Sequence, residues 1–170
     1  GNVPFGQTKV NDREYNKLGF SIHNYFFAKA LDQVRPGGIV TFVTSHHTMD
    51  AKTPEVRKYL AQRADLLGAV RLPNNAFKAN AGTDVVSDII FLQKREEPME
   101  IEPDWVHLGM SENGFPINSY FAEHPEMILG EQGQDIICSG MDDGTADLAY
   151  SAVDTMRMLI DPKNIDTWRN

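Results

Sequence analysis

The stretch with the most chemical potential is the first: Asn2-Val3-Pro4-Phe5, followed by Gly6, sets an amide and an aromatic on either side of a proline. Pro4 fixes the backbone between them, so the two groups would be held rather than tethered. By itself an Asn-x-Pro sequence is also an ordinary turn. Other polar residues invite weaker readings. His46-His47 follows an apolar run, where ligands of open α/β sheets gather, but neighbouring histidines on a strand point to opposite faces and make a poor metal pair, so a loop role is expected. Asp84 and Asp88 would share a strand face, yet read as turn and capping residues. Lys78 and Arg71 could meet phosphate, Lys78 being favoured, with solvated surface charge as the plain alternative for both. His23 is expected to pack or cap locally. The single cysteine, Cys138, excludes an internal disulfide, offers no zinc site and reads as a buried, inert thiol.

These groups must be positioned by a chain of 170 residues, 41% hydrophobic, which is enough for one compact core and too little for two full catalytic domains. No apolar run has membrane-spanning length and no leader pattern is visible, so a soluble, cytoplasmic protein is expected. The net charge of -8 conceals an asymmetry. Residues 1–95 carry 13 Lys and Arg against 8 Asp and Glu, whereas residues 96–147 carry 13 acids and no Lys or Arg. Contact with a phosphate backbone is therefore expected from the first 95 residues, and the acidic stretch from a solvated face. The organisation expected is 1–95 as one unit and 96–170 as an irregular acidic extension ending in a helix.

Periodicity supplies the elements. Gly1 to Gly19 reads as turn and surface loop, so no element need start before Phe20. Ile22, Phe26, Phe27, Ala30, Leu31 and Val34 fall on one helix face, ended by Pro36-Gly37-Gly38. Ile39 to Thr44 is β-branched and apolar on both faces, predicting a central strand covered on both sides. A second helix is expected with Thr53 as N-cap, Pro54 at its first position and Val56, Leu60 and Ala64 on its buried face. Leu67 to Leu72 and Val85 to Leu92 read as two further strands, whose helix-free connection favours an antiparallel pair. The alternation predicts an α/β fold with an open, mostly parallel, doubly wound sheet. Beyond Glu96 a short strand is expected at Trp105 to Leu108, a short helix at Ile117 to Glu123, a loop over Gln132 to Gly144, and a last helix whose apolar stripe runs from Leu148 to Ile160.

Asn2-Val3-Pro4-Phe5, standing one helix before an apolar strand, resembles the catalytic loop of the amino-methylating S-adenosylmethionine enzymes, usually written Asn or Asp, Pro, Pro, aromatic. The resemblance extends over roughly the first 130 residues to the N6-adenine DNA methyltransferase domains of large helicase-associated DNA-modification proteins of phages and mobile elements. It is carried by Ile22 to Phe27, Val34 to Gly38, Leu72-Pro73-Asn74-Asn75-Ala76-Phe77, Ala81 to Val85 and Ser87 to Leu92. It implies a partial Rossmann-like methyltransferase fold in a restriction-modification setting. It also implies that the Asn2 side chain and the Val3 carbonyl accept the two protons of an adenine amine, which turns the nitrogen lone pair toward the methyl donor. Phe5 would stack on the flipped base, and Pro4 would fix the turn. Val3 stands where proline is usual, a mild departure because that position acts through its carbonyl.

The same resemblance implies S-adenosylmethionine as cofactor and DNA as substrate, with a helicase domain as a possible partner in the same polypeptide. The Gly-rich loop and carboxylate that hold the cofactor would lie upstream of Gly1, so the chain alone is expected neither to transfer methyl groups nor to bind the cofactor tightly. Its bared sheet edge is expected to promote self-association. Related tetrads serve other amines, so RNA or protein glutamine remain alternative acceptors. A non-catalytic scaffold that docks through its acidic half is the alternative of another class.

Overall fold

A computed structural model describes residues 1–4, 10–74, 76, 86–132 and 138–139. Its first helix, α1 (Ile22–Gln33), begins where Ser21 accepts a hydrogen bond from the Asn24 amide, and buries Phe27, Ala28 and Leu31. A 3-10 turn at Asn16–Leu18 precedes it, so ordered structure starts earlier than the sequence suggests. The turn after α1 depends on glycine twice. Gly37 has φ +72°, and a Cβ on Gly38 would sit 2.6 Å from Val34 Cγ2 and 2.8 Å from the Arg35 carbonyl oxygen.

Strand β1 (Ile39–Ser45) follows, then a single helical turn α2 (His47–Asp50), helix α3 (Glu55–Arg63) and β2 (Ala64–Leu72), which begins with no intervening loop. Pro54, not Thr53, occupies the N-cap of α3, and no side chain caps it. Leu60 and Ala61 are buried on α3, but Ala64 belongs to β2. Strand β3 (Ser87–Lys94) completes the sheet.

The sheet order is β1-β3-β2, with β3 antiparallel to both neighbours. The antiparallel pairing of the last two strands is as the sequence suggests, but the mostly parallel sheet is not observed. Strands β1 and β2 do run the same way, as the helices between them imply. They are not neighbours, because β3 returns between them without the crossover that a parallel neighbour requires. Strand β1 is correspondingly not central. The both-faces-covered position belongs to β3, where consecutive Ile90, Phe91 and Leu92 are all buried. A register shift between Leu66 and Gly68 opposite β3 leaves Leu67 exposed, as a β-bulge does.

On one face of the sheet Phe27, Leu31, Val40, Leu60, Ala69, Ile90 and Leu92 form a core; on the other Val70, Leu72, Phe91 and Leu129 form a smaller cluster. The main core also takes in Ile117 and Phe121. These two come from a compact unit beyond residue 100: a 3-10 turn at Asp104–Val106, a hairpin of β4 (Leu108–Met110) and β5 (Pro116–Asn118), and helix α4 (Ser119–Glu123). The strand expected at Trp105 to Leu108 is thus mostly the 3-10 turn, and the helix expected from Ile117 starts two residues later, after β5. At the start of the stretch expected to be loop, Gln132 to Gly144, β6 (Glu131–Gln132) pairs with β7 (Cys138–Ser139). Among the described residues no helix is long and apolar enough to cross a membrane.

Candidate functional site

Topology gathers the polar groups at one end of the sheet. The carboxyl ends of β1 and β2 and the amino end of β3 coincide, since Ser45 and Leu72 both stand opposite Ser87. Helix α1 returns into β1 through a short turn, so its amino end lies here too. The hydrogen bond from Thr48 Oγ1 to Asn24 Oδ1, 3.3 Å, ties that end of α1 to the residues just after β1.

Asn2 joins this end as a parallel bridge to Val43 on the free side of β1. The Val3 amide donates to the Val43 carbonyl at 3.2 Å, and the Val43 amide donates to the Gly1 carbonyl at 3.0 Å. Val3 is 2% exposed, whereas Asn2 and Pro4 face solvent. The anchoring therefore uses the Val3 amide and leaves two acceptors, the Asn2 side-chain oxygen and the Val3 carbonyl, with no hydrogen-bond donor among the described residues. Because the bridge is parallel, the chain runs from Asn2 through Pro4 toward the carboxyl end of β1. Phe5, Lys78, Asp84 and the terminal helix expected over 148–160 lie outside the described residues.

Next to this edge, three histidines meet. Strand β1 ends at Ser45, so His46 and His47 escape strand alternation and their rings lie side by side, with centroids 4.1 Å apart and planes tilted by 40°. This corrects the expectation that they diverge. The His46 amide donates to the Val86 carbonyl at 3.1 Å and its Nδ1 lies 3.3 Å from the same oxygen, clamping the start of β3. Burial, and then the neighbouring His47, hold both His23 and His46 below their ordinary pKa; Arg71 adds to the effect on His46. No cluster of three or more metal-ligating side chains occurs among the described residues.

Beneath the histidines lies the feature that sequence reading misplaced. Arg71 is 1% exposed and Asp88 0%, so neither is a surface charge nor a turn residue. Arg71 donates through Nε and Nη2 to the two oxygens of Asp88 at 2.8 and 2.9 Å, and through Nη1 to Asp50 at 2.7 Å, while its guanidinium carbon lies 4.4 Å from the Phe121 ring centroid. Burial alone would lower the Arg71 pKa, but the two carboxylates outweigh it and raise it above the ordinary value. Asp50 also accepts from the Asn118 amide at 2.9 Å, and the Asn118 side chain donates to the Met49 and Trp105 carbonyls at 2.9 and 2.8 Å. The network fastens β2, β3, α2 and the β4-β5 unit together under the site. It forms a buried floor in which each guanidinium nitrogen of Arg71 donates to a carboxylate. Two buried polar atoms at this end, Ser45 Oγ and Asn74 Oδ1, have no hydrogen-bond partner among the described residues.

No family model matches the chain. Over 111 residues, 63% of its length, it is 32% identical to "Defense against restriction protein B" of Escherichia phage P1, and it spans about 5% of that protein's length. A solved chain from work on complex assembly and conformational transition of the type I R-M system aligns over 74% of this chain and 28% of its own, with 20% identity and a TM-score of 0.46.

Proposed function

We propose that this chain forms the acceptor side of an S-adenosylmethionine-dependent DNA methyltransferase acting on the N6 amine of adenine. The observation that carries the reading is the anchoring of Asn2 and Val3. One backbone amide is spent on β1, and a side-chain oxygen and a carbonyl on adjacent residues are left unspent at the sheet end where ligands of α/β proteins gather. Two acceptors fixed to a strand suit an exocyclic amine, whose two protons they would take while its lone pair turned away from them. They would also favour the positive charge that grows on nitrogen as a bond to carbon forms. The floor of Arg71, Asp88 and Asp50 would keep that end of the sheet from yielding when a base enters. The similarity to a phage protein named for defence against restriction is compatible with a role in DNA modification.

The described residues do not fit the cofactor. Their positive-φ glycines are Gly19, Gly37, Gly114 and Gly130, and none follows β1 or β2 at the carboxyl end, where a glycine turn would cradle it. The groups that hold the methyl donor would therefore come from outside the described residues, and what the chain itself contributes is orientation of the acceptor.

The test is methylation of duplex DNA by the full-length gene product, read as N6-methyladenine by mass spectrometry. Wild type is expected to modify adenine, and Asn2→Ala to lose on the order of a hundredfold in rate, as removal of one preorganised polar group does, with cofactor affinity nearly unchanged. Absence of modified adenine with wild type, or wild-type turnover in Asn2→Ala, overturns the reading.

A further inference from the structure

Beside the amino end of α1 the surface opens into a cavity of about 320 Å³, lined among others by Asn11, Tyr15, Asn16, Gly19, Phe20 and Tyr25. That volume falls at the lower end of small-molecule sites, about 300–1,000 Å³. Three of its walls are aromatic, and they are held in place. Tyr15 donates its hydroxyl to Asp32 at 2.5 Å and Tyr25 donates to Asp12 at 3.0 Å. The two rings meet edge to face, 5.5 Å between centroids and 89° between planes. Phe20 is braced in the same manner against Tyr59, 5.4 Å between centroids. Burial, with Asp32 beside it, raises the Tyr15 phenol above its ordinary range, so it keeps its proton and its hydrogen bond.

The polar lining suits a heterocycle. Asn16 is occupied, its Oδ1 accepting from the Asp12 amide at 3.0 Å and its Nδ2 donating to Asn11 Oδ1 at 2.8 Å. That arrangement leaves the Asn11 amide nitrogen, on an exposed residue, without an acceptor among the described residues. A donor at the rim of an aromatic slot is what recognition of an unstacked base uses. The nearby charges balance: Lys29 neutralises Asp12 at 2.6 Å, while the exposed Arg13 and Lys17, with no ion-pair partner among the described residues, are matched by the exposed acids Glu14 and Asp32.

Position supplies the link to the proposed reaction. The amino end of α1 and Asn2-Val3-Pro4 share the carboxyl end of β1, and the six residue steps from Pro4 to Val10 can span at most about 22 Å. We propose that this cavity binds an unpaired nucleobase of the substrate strand, a few nucleotides from the acceptor base, by stacking on the half-buried Phe20 and Tyr25 rings, with the buried Tyr15 ring behind them. The proposal rests on the reading of the chain as a DNA methyltransferase and adds to it a second, sequence-tolerant base site. It makes locally single-stranded or distorted DNA the preferred substrate class.

The test uses the 170-residue chain and a single-stranded oligonucleotide that carries 2-aminopurine, whose fluorescence falls when it stacks on an aromatic ring. Wild type is expected to quench it. Asn11→Trp fills the cavity mouth from an exposed position and should weaken binding on the order of tenfold, as should Phe20→Ala, with thermal unfolding of each variant checked alongside. Glu97→Gln, an exposed position outside both the cavity and the acceptor site, should leave the quenching unchanged. Unaltered binding and quenching in folded Asn11→Trp overturns the proposal, as does no quenching by wild type. The methylation assay of Asn2→Ala fails or succeeds independently. Loss of quenching in Asn11→Trp with no methylation by wild type would keep the base site and discard the enzyme; the converse would keep the enzyme and discard the site.

Discussion

Arg71 on β2 and Asp88 on β3 stand directly opposite in register and share two hydrogen bonds of 2.8 and 2.9 Å, with both side chains closed to solvent. Removal of Arg71 would leave the buried Asp88 carboxylate without its counter-charge, and Asp50 without its guanidinium. Arg71→Leu is expected to destabilise the fold by about 3–5 kcal/mol, and Arg71→Leu with Asp88→Leu to recover much of that loss. Urea denaturation of the single and double variants measures it; a cost under about 1 kcal/mol for Arg71→Leu would show that the pair does not hold the strands.

Asn118 is a smaller version of the same fastening. Asn118→Ala leaves the carbonyls of Met49 and Trp105 buried without their donors, and should cost about 1–3 kcal/mol. The loss should be local first. Amide hydrogen exchange is expected to rise in β4, β5 and α4 before it rises in β3, and uniform exchange across both would contradict the anchoring role.

At Val3 the expected result runs against the commoner family residue. Val3→Pro restores the usual tetrad but deletes the amide that donates to Val43, leaving that carbonyl without its partner. A decrease in stability of about 1 kcal/mol is expected, read from the urea midpoint, and an increase would mean that the Val3 amide contributes nothing to anchoring.

Acidification should weaken the fold through His23 and His46. Both are held below the ordinary value of 6.5, so as pH falls past that value the unfolded chain takes up protons that the folded chain refuses, and stability declines until the folded pKa values are passed. Above 6.5 both states are neutral and these groups add no slope. His46→Gln should flatten the decline in unfolding midpoint between pH 7 and 5, relative to wild type. An unchanged profile would place the pH dependence elsewhere.

Local periodicity made much of this architecture legible. The apolar spacing along α1 and the β-branched run of β1 appear where expected, because each is decided within a dozen residues. Sheet order was not legible, since the choice of β3 over β2 as the neighbour of β1 is made between segments more than forty residues apart. The Arg71–Asp88 pair, only 17 residues apart on two strands whose antiparallel pairing was expected, was missed although a signal existed: each charge interrupts an otherwise apolar strand, Gly68 to Leu72 and Ser87 to Leu92, and two such interruptions in antiparallel strands can cancel each other. Asn2 was legible as a chemical group at a turn. That Val3 would be spent through its amide and spared at its carbonyl required the sheet.

The placement of β3 also constrains the order in which the protein can be made. Strands β1 and β2 leave the ribosome first but have no hydrogen bonds to offer each other, because the partner of both is the last strand of the three. Until residue 94 has emerged, the edge that each will share with β3 stays open, and the Arg71 guanidinium waits without the Asp88 carboxylate. The sheet therefore closes on a keystone: one strand, arriving after both its neighbours, completes both seams and brings the Asp88 carboxylate to Arg71 in the same event.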